Sequence, residues 1–513
     1  MVPTTWDQPS IFSSATFLAA LFLPLLLLHL LRRKTPSPPS LPGPSGLPLL
    51  GSLPFLDPEL HSYFASLSKT HGPVFKIKLG TKTCVVVSSP SAARDVLRTH
   101  DATFANRDVP AVALVLAYGG RDIVWNPDVA EWRMLRKVCV REMLGPASLE
   151  AVYGLRRREL RRTVAELRAR AGEAVDVGTE MFTMVMNVVM SMLWGGTLVG
   201  SEERAKVGDE FRKVVGETTE LLGSPNVSDF FPILRGLDLQ GLERRMRGLF
   251  ERFDEIFNGI IEKRVGMEEG EKDFLGFMLK LLEEGGESKT AFTMVNLKAL
   301  LMDMVVGGTD TTSNTVEWAI AHLMANPAAM SRAQSELDVV VGTDAIVEES
   351  HTSKLPYLRA VMKEVLRLHP ALPLLVPHRP SESATVAGYA IPKDARVFVN
   401  VWAIHHDRSV WEDPLEFRPE RFLGEENEKR WDFGGNDFDY FPFGSGRRIC
   451  AGIAMAEKTF MWSLATLVHS FDWGMRNGEE GIDLEEKFGI VLKKARPLVA
   501  VPTPRLARPE LYE

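Results

Sequence analysis

The chain reads as a mainly α protein with small β-sheets (α+β): one large helical domain behind an N-terminal apolar segment. Three observations carry this. Helical patterns fill long segments near 130–143, 147–172, 180–195, 202–222, 240–267, 291–324, 327–341 and 355–368. Strand-like runs are short, at 74–79 and 83–88, and again near 384–400 and 488–501. One linker-like stretch, Pro36 to Pro48, interrupts the 513 residues, and no internal repeat is visible.

Taken in order, Ile11 to Leu31 carries no charged residue and is rich in Leu, Phe and Ala. About 20 apolar residues suffice to span a bilayer. Arg32-Arg33-Lys34 follow at once, which holds the rest of the chain on the cytosolic side. The only charge before the run is Asp7, so residues 1–34 read as an uncleaved anchor rather than a cleaved signal peptide. The X-Pro steps of residues 35–52 reject helix and favour a stiff, extended link. Residues 53–513 then form one domain. If that domain is cytosolic, the Asn226-Val227-Ser228 sequon stays unmodified.

Val74 to Ser88 reads as a hairpin turning at Gly80-Thr81-Lys82. Cys84 falls on its second strand and Cys139 on a helix, and both read as core residues. Three cysteines are too few for a disulfide framework or a zinc cluster, which favours a reducing compartment. A net charge of -7 gives no hint of nucleic-acid binding. The basic run Leu155 to Arg162 reads first as a solvated helix face and alternatively as a docking surface for an acidic partner.

Four constellations carry chemistry. Cys450 sits in a turn, Phe443-Gly444-Ser445-Gly446-Arg447-Arg448-Ile449-Cys450-Ala451-Gly452, just before a helix apolar on nearly all faces. At a helix N-terminus the dipole and free N–H groups favour thiolate, a metal ligand. Read alone, such a cysteine is also a small core residue. Trp132 and Arg136 are four apart on one helix face and can both donate to a carboxylate. Gly307-Gly308 weaken a long helix that continues Thr309-Asp310-Thr311-Thr312, whose hydroxyls can bond back and bend it. Glu364 and Arg367 are three apart among Val365, Leu366 and Leu368, and a buried pair of this kind needs a further partner.

Phe443, Gly446, Arg448, Cys450 and Gly452 together meet Phe-x-x-Gly-x-Arg-x-Cys-x-Gly, and the chain resembles the cytochrome P450 haem-thiolate enzymes. It looks most like plant microsomal A-type members, especially the plant 706 group, through Val305 to Asn314, Asn400 to Asp407 and Phe443 to Glu457. The resemblance implies the cytochrome P450 fold with haem b, and Cys450 as iron ligand. It implies propionate contacts from Trp132, Arg136, Arg448 and His378, with Arg379 a possible substitute, and Phe443 beside the cofactor. Asp310 and Thr311 become an acid–alcohol pair that delivers protons. Glu364, Arg367 and Arg421 become a triad that holds the cysteine loop.

The implied activity is insertion of one oxygen atom from O2 into a hydrophobic substrate. No flavin or nicotinamide fingerprint is present, so electrons come from NADPH through a separate NADPH–cytochrome P450 reductase, at the endoplasmic reticulum membrane. Expected pocket walls are Pro110–Tyr118, Leu301–Val306, Ala371–Val376 and Gly489–Leu492, with Val306, Gly307, Leu374, Leu375, Ile490 and Val491 as substrate contacts. Their apolar character suits a terpenoid, with flavonoids or aldoximes as alternatives. Three other classes stay open: an O2-independent haem isomerase or dehydratase, a non-catalytic haem binder, and a membrane-tethered interaction protein. The intact Asp310 and Thr311 count against the first two.

Overall fold

The computed structural model describes residues 41–195, 201–267, 272–285, 290–475 and 481–513. The anchor of residues 1–34 and the start of the hinge lie outside the described residues. Helices of eight residues or more are α1 (Leu60–His71), α2 (Ala130–Lys137), α3 (Tyr153–Ala169), α4 (Val177–Trp194), α5 (Ser201–Gly223) and α6 (Leu242–Val265). They continue with α7 (Phe274–Glu283), α8 (Met294–Ala325), α9 (Pro327–Val340), α10 (Pro356–Leu368) and α11 (Ile453–Ser470). The long expected segments therefore appear within a few residues of their expected ends. Helices α1 and α7 were not anticipated.

The centre of the molecule is α8, packed between α4, α10 and α11. Each of the four buries most of its length: α4, α8 and α11 carry apolar residues on nearly every face, and α10 buries Lys363, Glu364 and Arg367 along with its apolar side chains. Their starts are set locally. Asp176 accepts the Thr179 N–H (2.9 Å) at the start of α4, and Thr293 with Asn296 forms a capping box on α8. Among the described residues, α4 alone is long and apolar enough to cross a membrane by length and composition. With 67% of it buried, it is a core helix.

Strands β1 (Val74–Leu79) and β2 (Lys82–Val87) form the expected hairpin, with Val74 opposite Val87. They head a five-stranded sheet in the order β1-β2-β8-β5-β3, where β3 is Asn106–Arg107, β5 His378–Arg379 and β8 Arg396–Val399. The β2–β8 pairing is parallel and joins residues some 300 apart, so no local pattern announces it. Strands β4 (Val175–Asp176), β9 (Phe471–Gly474) and β12 (Val499–Pro504) form a second sheet. Strands β6 (Ala384–Val386) and β7 (Tyr389–Ile391) form one small hairpin, and β10 (Glu486–Lys487) and β11 (Lys493–Lys494) another. The strand expected over 488–501 is thus divided: Gly489 to Leu492 is the loop between β10 and β11.

The basic run on α3 is neutralised within the chain. Arg156 is buried against Glu349, Arg157 pairs with Glu348 (2.7 Å), and Arg162 pairs with Glu159 (2.6 Å). Arg161 donates to the carbonyls of Leu511 and Glu513. The run braces the chain rather than presenting free charge. Asn226 of the sequon is also buried, where its side chain accepts the Ser228 N–H (2.9 Å). Glu349 additionally takes Lys458. Glu349→Ala strands the Arg156 guanidinium in the core and is expected to lower stability by about 3 kcal/mol, read as a fall in the urea midpoint at unchanged m-value.

Candidate active site

The loop from Phe441 to Gly452 brings a sulfur to the floor of an internal cavity of about 330 Å3. The Cys450 N–H donates to Phe443 O (3.0 Å), and the Gly444 N–H to Phe441 O (2.9 Å). Gly446 holds φ +67°, and any side chain there would collide with the Leu97 carbonyl. Cys450 keeps accessible surface although protein surrounds it, so that surface is cavity wall. The Gly452 N–H reaches its Sγ (3.3 Å), one residue before α11 begins. Burial nevertheless pushes the thiol up, against the pull of that N–H and of Arg136. This corrects the expectation drawn from the helix start alone: desolvation outweighs the helix end, and ionisation needs a cation at the sulfur. Phe443 also lines the cavity and stands edge-on to Phe433 (5.1 Å between centroids).

The loop is braced from α10. Glu364 and Arg367 are completely buried. Arg367 Nε and Nη2 donate to the two Glu364 oxygens (2.7 and 2.8 Å). Its remaining N–H groups reach the carbonyls of His405 (2.9 Å), Pro414 (2.7 Å) and Glu416 (3.3 Å). Arg421 Nε reaches Glu364 Oε1 (3.3 Å), as does the Arg418 N–H (2.9 Å). His405 Nε2 then accepts the Phe441 N–H (3.1 Å), and Tyr440 donates to Lys363 O (3.0 Å). The triad thus fixes the residues that open the cysteine loop.

Three guanidinium groups converge on one end of the cavity: Arg107, Arg136 and Arg448. Main-chain carbonyls are their acceptors. Arg136 reaches Ile449 O (2.5 Å) and Arg107 reaches Val376 O (2.5 Å). Arg448 reaches Ala105 O (2.6 Å), Asn126 O (2.5 Å) and Ile123 O (3.3 Å). Burial and the two neighbouring cations push Arg107 well down, and its Nε has no partner. Trp132 lies behind them, off the cavity wall. Its indole N–H donates to Ile123 O (3.0 Å) while Arg448 stacks over its ring (4.2 Å). The structure therefore makes Trp132 a support for Arg448 rather than a donor facing the cavity. His378 lines the wall, with Nδ1 on Phe104 O (2.8 Å). Arg379, next along β5, points to the other side and pairs with Asp394 (3.9 Å).

Helix α8 forms the opposite wall and stays helical through Gly307-Gly308. A side chain at Gly307 would meet no atom within 4 Å, so this glycine leaves the cavity open. One at Gly308 would press on Met455 (3.1 Å). Thr311 lines the cavity and donates to Gly307 O (2.9 Å), as expected of a hydroxyl one turn on. Asp310 does not line it. Its carboxylate is buried behind the wall, with Oδ1 accepting from Lys493 (2.8 Å) and Asn314 (3.0 Å). Val306, Gly307, Leu375, Ile490 and Val491 line the cavity, as does Cys139, which is a wall residue rather than plain core. Leu374 does not: it is buried with Phe64, Phe75 and Phe398 against the sheet.

A carboxyl pair that the sequence analysis did not single out also faces the cavity. Asp122 and Asp303 are hydrogen-bonded to each other. Asp122 accepts the N–H groups of Trp125 (2.9 Å) and Asn126 (3.1 Å), and Asp303 that of Ile123 (2.8 Å). Burial raises Asp122 to about 6, and burial with the Asp122 charge raises Asp303 well above the carboxylate range. Both shifts favour the pair keeping a proton between them.

A family model described as Cytochrome P450 matches residues 41–501. The chain belongs to the cytochrome P450 family. It is 40% identical to a flavonoid 3'-monooxygenase of Crocosmia x crocosmiiflora, covering 96% of this chain and 97% of the relative. It is 42% identical to cytochrome P450 76C4 of Arabidopsis thaliana (90% and 91%), and 39% identical to a geraniol 8-hydroxylase of Catharanthus roseus (95% and 98%). A zebra fish cytochrome P450 solved with progesterone superposes with a TM-score of 0.74 at 26% identity, covering 88% of this chain and all of that one. The protein is a cytochrome P450 monooxygenase, and its family uses haem b.

The residues of this P450 fit that group. Three cations without a carboxylate partner, one carrying an unsatisfied buried N–H, suit a ligand with two carboxylates. The sulfur on the floor and the bare Gly307 in the opposite wall suit a flat, iron-bearing disc between them. Arg107 was missed because it lies far in sequence from Arg136 and Arg448. Its signal was a lone arginine in Phe104-Ala105-Asn106-Arg107.

Glu364→Ala is expected to leave Arg367 unpaired and release the cysteine loop, so that haem content falls to background while the chain still accumulates. A normal haem-to-protein ratio would count against the brace. For the acid pair, both carboxyls are raised in the folded state. Asp122 destabilises the fold increasingly as pH rises from the unfolded value of 3.8 through about 6, and Asp303, raised further, does so on into the more alkaline range. Asp303→Asn keeps the neutral donor without the titration. Its melting temperature relative to wild type is expected to be higher at pH 8 than at pH 5, and equal shifts at both would count against a shared proton.

Proposed function

We propose that this P450 hydroxylates an apolar plant specialised metabolite of the terpenoid class, with a sesquiterpene the favoured size. The observation that carries the reading is the cavity wall beyond the arginines: Leu116, Ala117, Val124, Leu222, Val306, Leu375, Ile490 and Val491. Such a wall binds by area and shape, with few polar groups to orient a ligand. The relative named geraniol 8-hydroxylase acts on a terpenoid alcohol by its printed name. A flavonoid is the second reading. It is favoured by the Asp122–Asp303 pair, which could accept phenol hydroxyls, and by relatives named flavonoid hydroxylases in Crocosmia x crocosmiiflora and Solanum melongena.

The balanced reaction is substrate C–H + O2 + NADPH + H+ giving substrate C–OH + H2O + NADP+. Bound haem supplies the oxygen activation, which thiolate ligation favours. The chain's own residues do the rest. Cys450 would ligate the iron, and Arg107, Arg136, Arg448 and His378 would hold the carboxylate edge, with Trp132 behind Arg448. Phe443 shields the sulfur side. Thr311 stands at the wall where a hydroxyl can pass a proton, and Asp310 is the acid behind it. The apolar wall excludes water and holds the substrate against Gly307.

Electrons come from NADPH through a membrane-bound NADPH–cytochrome P450 reductase. Residues 1–34 anchor the chain in the endoplasmic reticulum membrane, residues 35–52 form the hinge, and 53–513 face the cytosol. Exposed apolar side chains support contact with lipid: Leu47, Leu49, Leu50 and Phe55 in one segment, Ile233, Leu237 and Leu239 in another. Both segments adjoin the β1–β2 turn, through the Gly51–Leu79 bridge and the Thr81 N–H to Phe230 O bond (3.0 Å).

The test is expression in microsomes with the reductase, followed by a product screen on sesquiterpenes and flavonoids. NADPH- and O2-dependent hydroxylation of a sesquiterpene is expected, with Cys450→Ala losing both product and the thiolate-type band of the reduced carbon-monoxide complex. Turnover of flavonoids alone would replace the first reading by the second.

A further inference from the structure

Asp310 is held in an unexpected place. Its side chain is 1% exposed, yet it is turned from the cavity that its neighbour Thr311 lines. Oδ1 accepts from Lys493 Nζ (2.8 Å) and Asn314 Nδ2 (3.0 Å), while Oδ2 is buried with no partner. Lys493 is 42% exposed and lies on β11. The loop just before it, Ile490-Val491, is cavity wall. Only Leu492 lies between Val491 and Lys493, so the two are at most roughly 7 Å apart along the chain. The base of the hairpin is fixed: Glu486 on β10 accepts from His369 (2.6 Å) and His61 (3.0 Å). One short hairpin therefore touches the substrate space with its tip and grips the Asp310 carboxylate beside it.

We propose that Lys493 is a positioning residue: it holds the Asp310 carboxylate away from the cavity, and a ligand pressing on Ile490 and Val491 draws Lys493 off and frees that carboxylate toward Thr311. The inference rests on the reading that Asp310 and Thr311 supply protons. The pair is suited to opening. An exposed ammonium regains water when released, so its hold on Asp310 is weak. The buried Oδ2 without a partner gains one by turning, which favours the freed position. A ligand shifts this equilibrium because it contacts the hairpin that carries Lys493. The consequence is economy of reductant. With the cavity empty, reductant would be lost as NADPH + H+ + O2 → NADP+ + H2O2, and the closed pair, by withholding protons, slows that loss.

The full-length holoenzyme, with reductase, is assayed as wild type, Lys493→Met, Lys493→Gln and Lys493→Arg. Substrate-free NADPH oxidation and peroxide release are expected to rise about fivefold in the Met and Gln variants, while Arg stays near wild type. Hydrogen exchange of segments 305–314 and 485–494 is read with and without clotrimazole, an apolar azole that fills the cavity whatever the natural substrate. Ligand is expected to raise exchange in wild type, and Lys493→Met is expected to start at the raised level. Wild-type NADPH oxidation in both neutral variants, with a normal carbon-monoxide band, overturns the proposal, as does unchanged exchange on ligand binding. Asp310→Asn and Thr311→Ala separate the two ideas. If they lose turnover while the Lys493 variants match wild type, only the inference fails; if they keep full turnover, the proton-supply reading fails with it.

Discussion

Every N–H of the Arg367 guanidinium is used inside the protein, two on Glu364 and three on the carbonyls of His405, Pro414 and Glu416. A buried ion pair of this kind is tolerable only when its donors are fully satisfied. Those acceptors come from separate turns, so the geometry of one side chain fixes the course of the chain from 405 to 416. His405 passes the constraint to Phe441, and Phe441 to Gly444 at the head of the cysteine loop. The position of the sulfur therefore depends on a pair that does no chemistry.

The cavity this creates gathers its charged groups together. Arginines gather at one end with main-chain carbonyls as their acceptors, and the Asp122–Asp303 pair lies beside them: Asp122 accepts the Asn126 N–H while Arg448 donates to Asn126 O, and the Asp122 charge acts on Arg107 and Arg448. Like charges this close raise the free energy of the apoprotein. Binding a dianionic cofactor relieves the first group, and retaining a proton relieves the second. The same low-dielectric wall that disfavours the Cys450 thiolate also makes a bound cation there strongly stabilising.

Legibility varied with sequence distance. Helix α8 was readable because thirty residues repeat one pattern, and the Thr311 back-bond because it closes within one turn. Glu364 and Arg367 were readable as a pair, but which carbonyls complete them was not. Leu374 and Leu375 look alike in sequence. The chain turns through a left-handed residue at Leu375 (φ +51°), which sends the two side chains to different clusters. Asp310 was found as an acid beside a threonine. That it faces Lys493 follows from a hairpin some 180 residues away. Asp122 and Asp303 are likewise ordinary carboxylates until the fold buries them together.

The sequence by itself determined most of the long helices, the β1–β2 hairpin, the cysteine turn and the residue types at the centre, because each follows from periodicity, turn chemistry or spacing within about a dozen residues. Tertiary structure decided which of those residues face the cavity, which cations stay unpaired, and which acid is turned aside. Those outcomes depend on desolvation and on partners brought from distant strands and loops, and neither is a property of any local stretch.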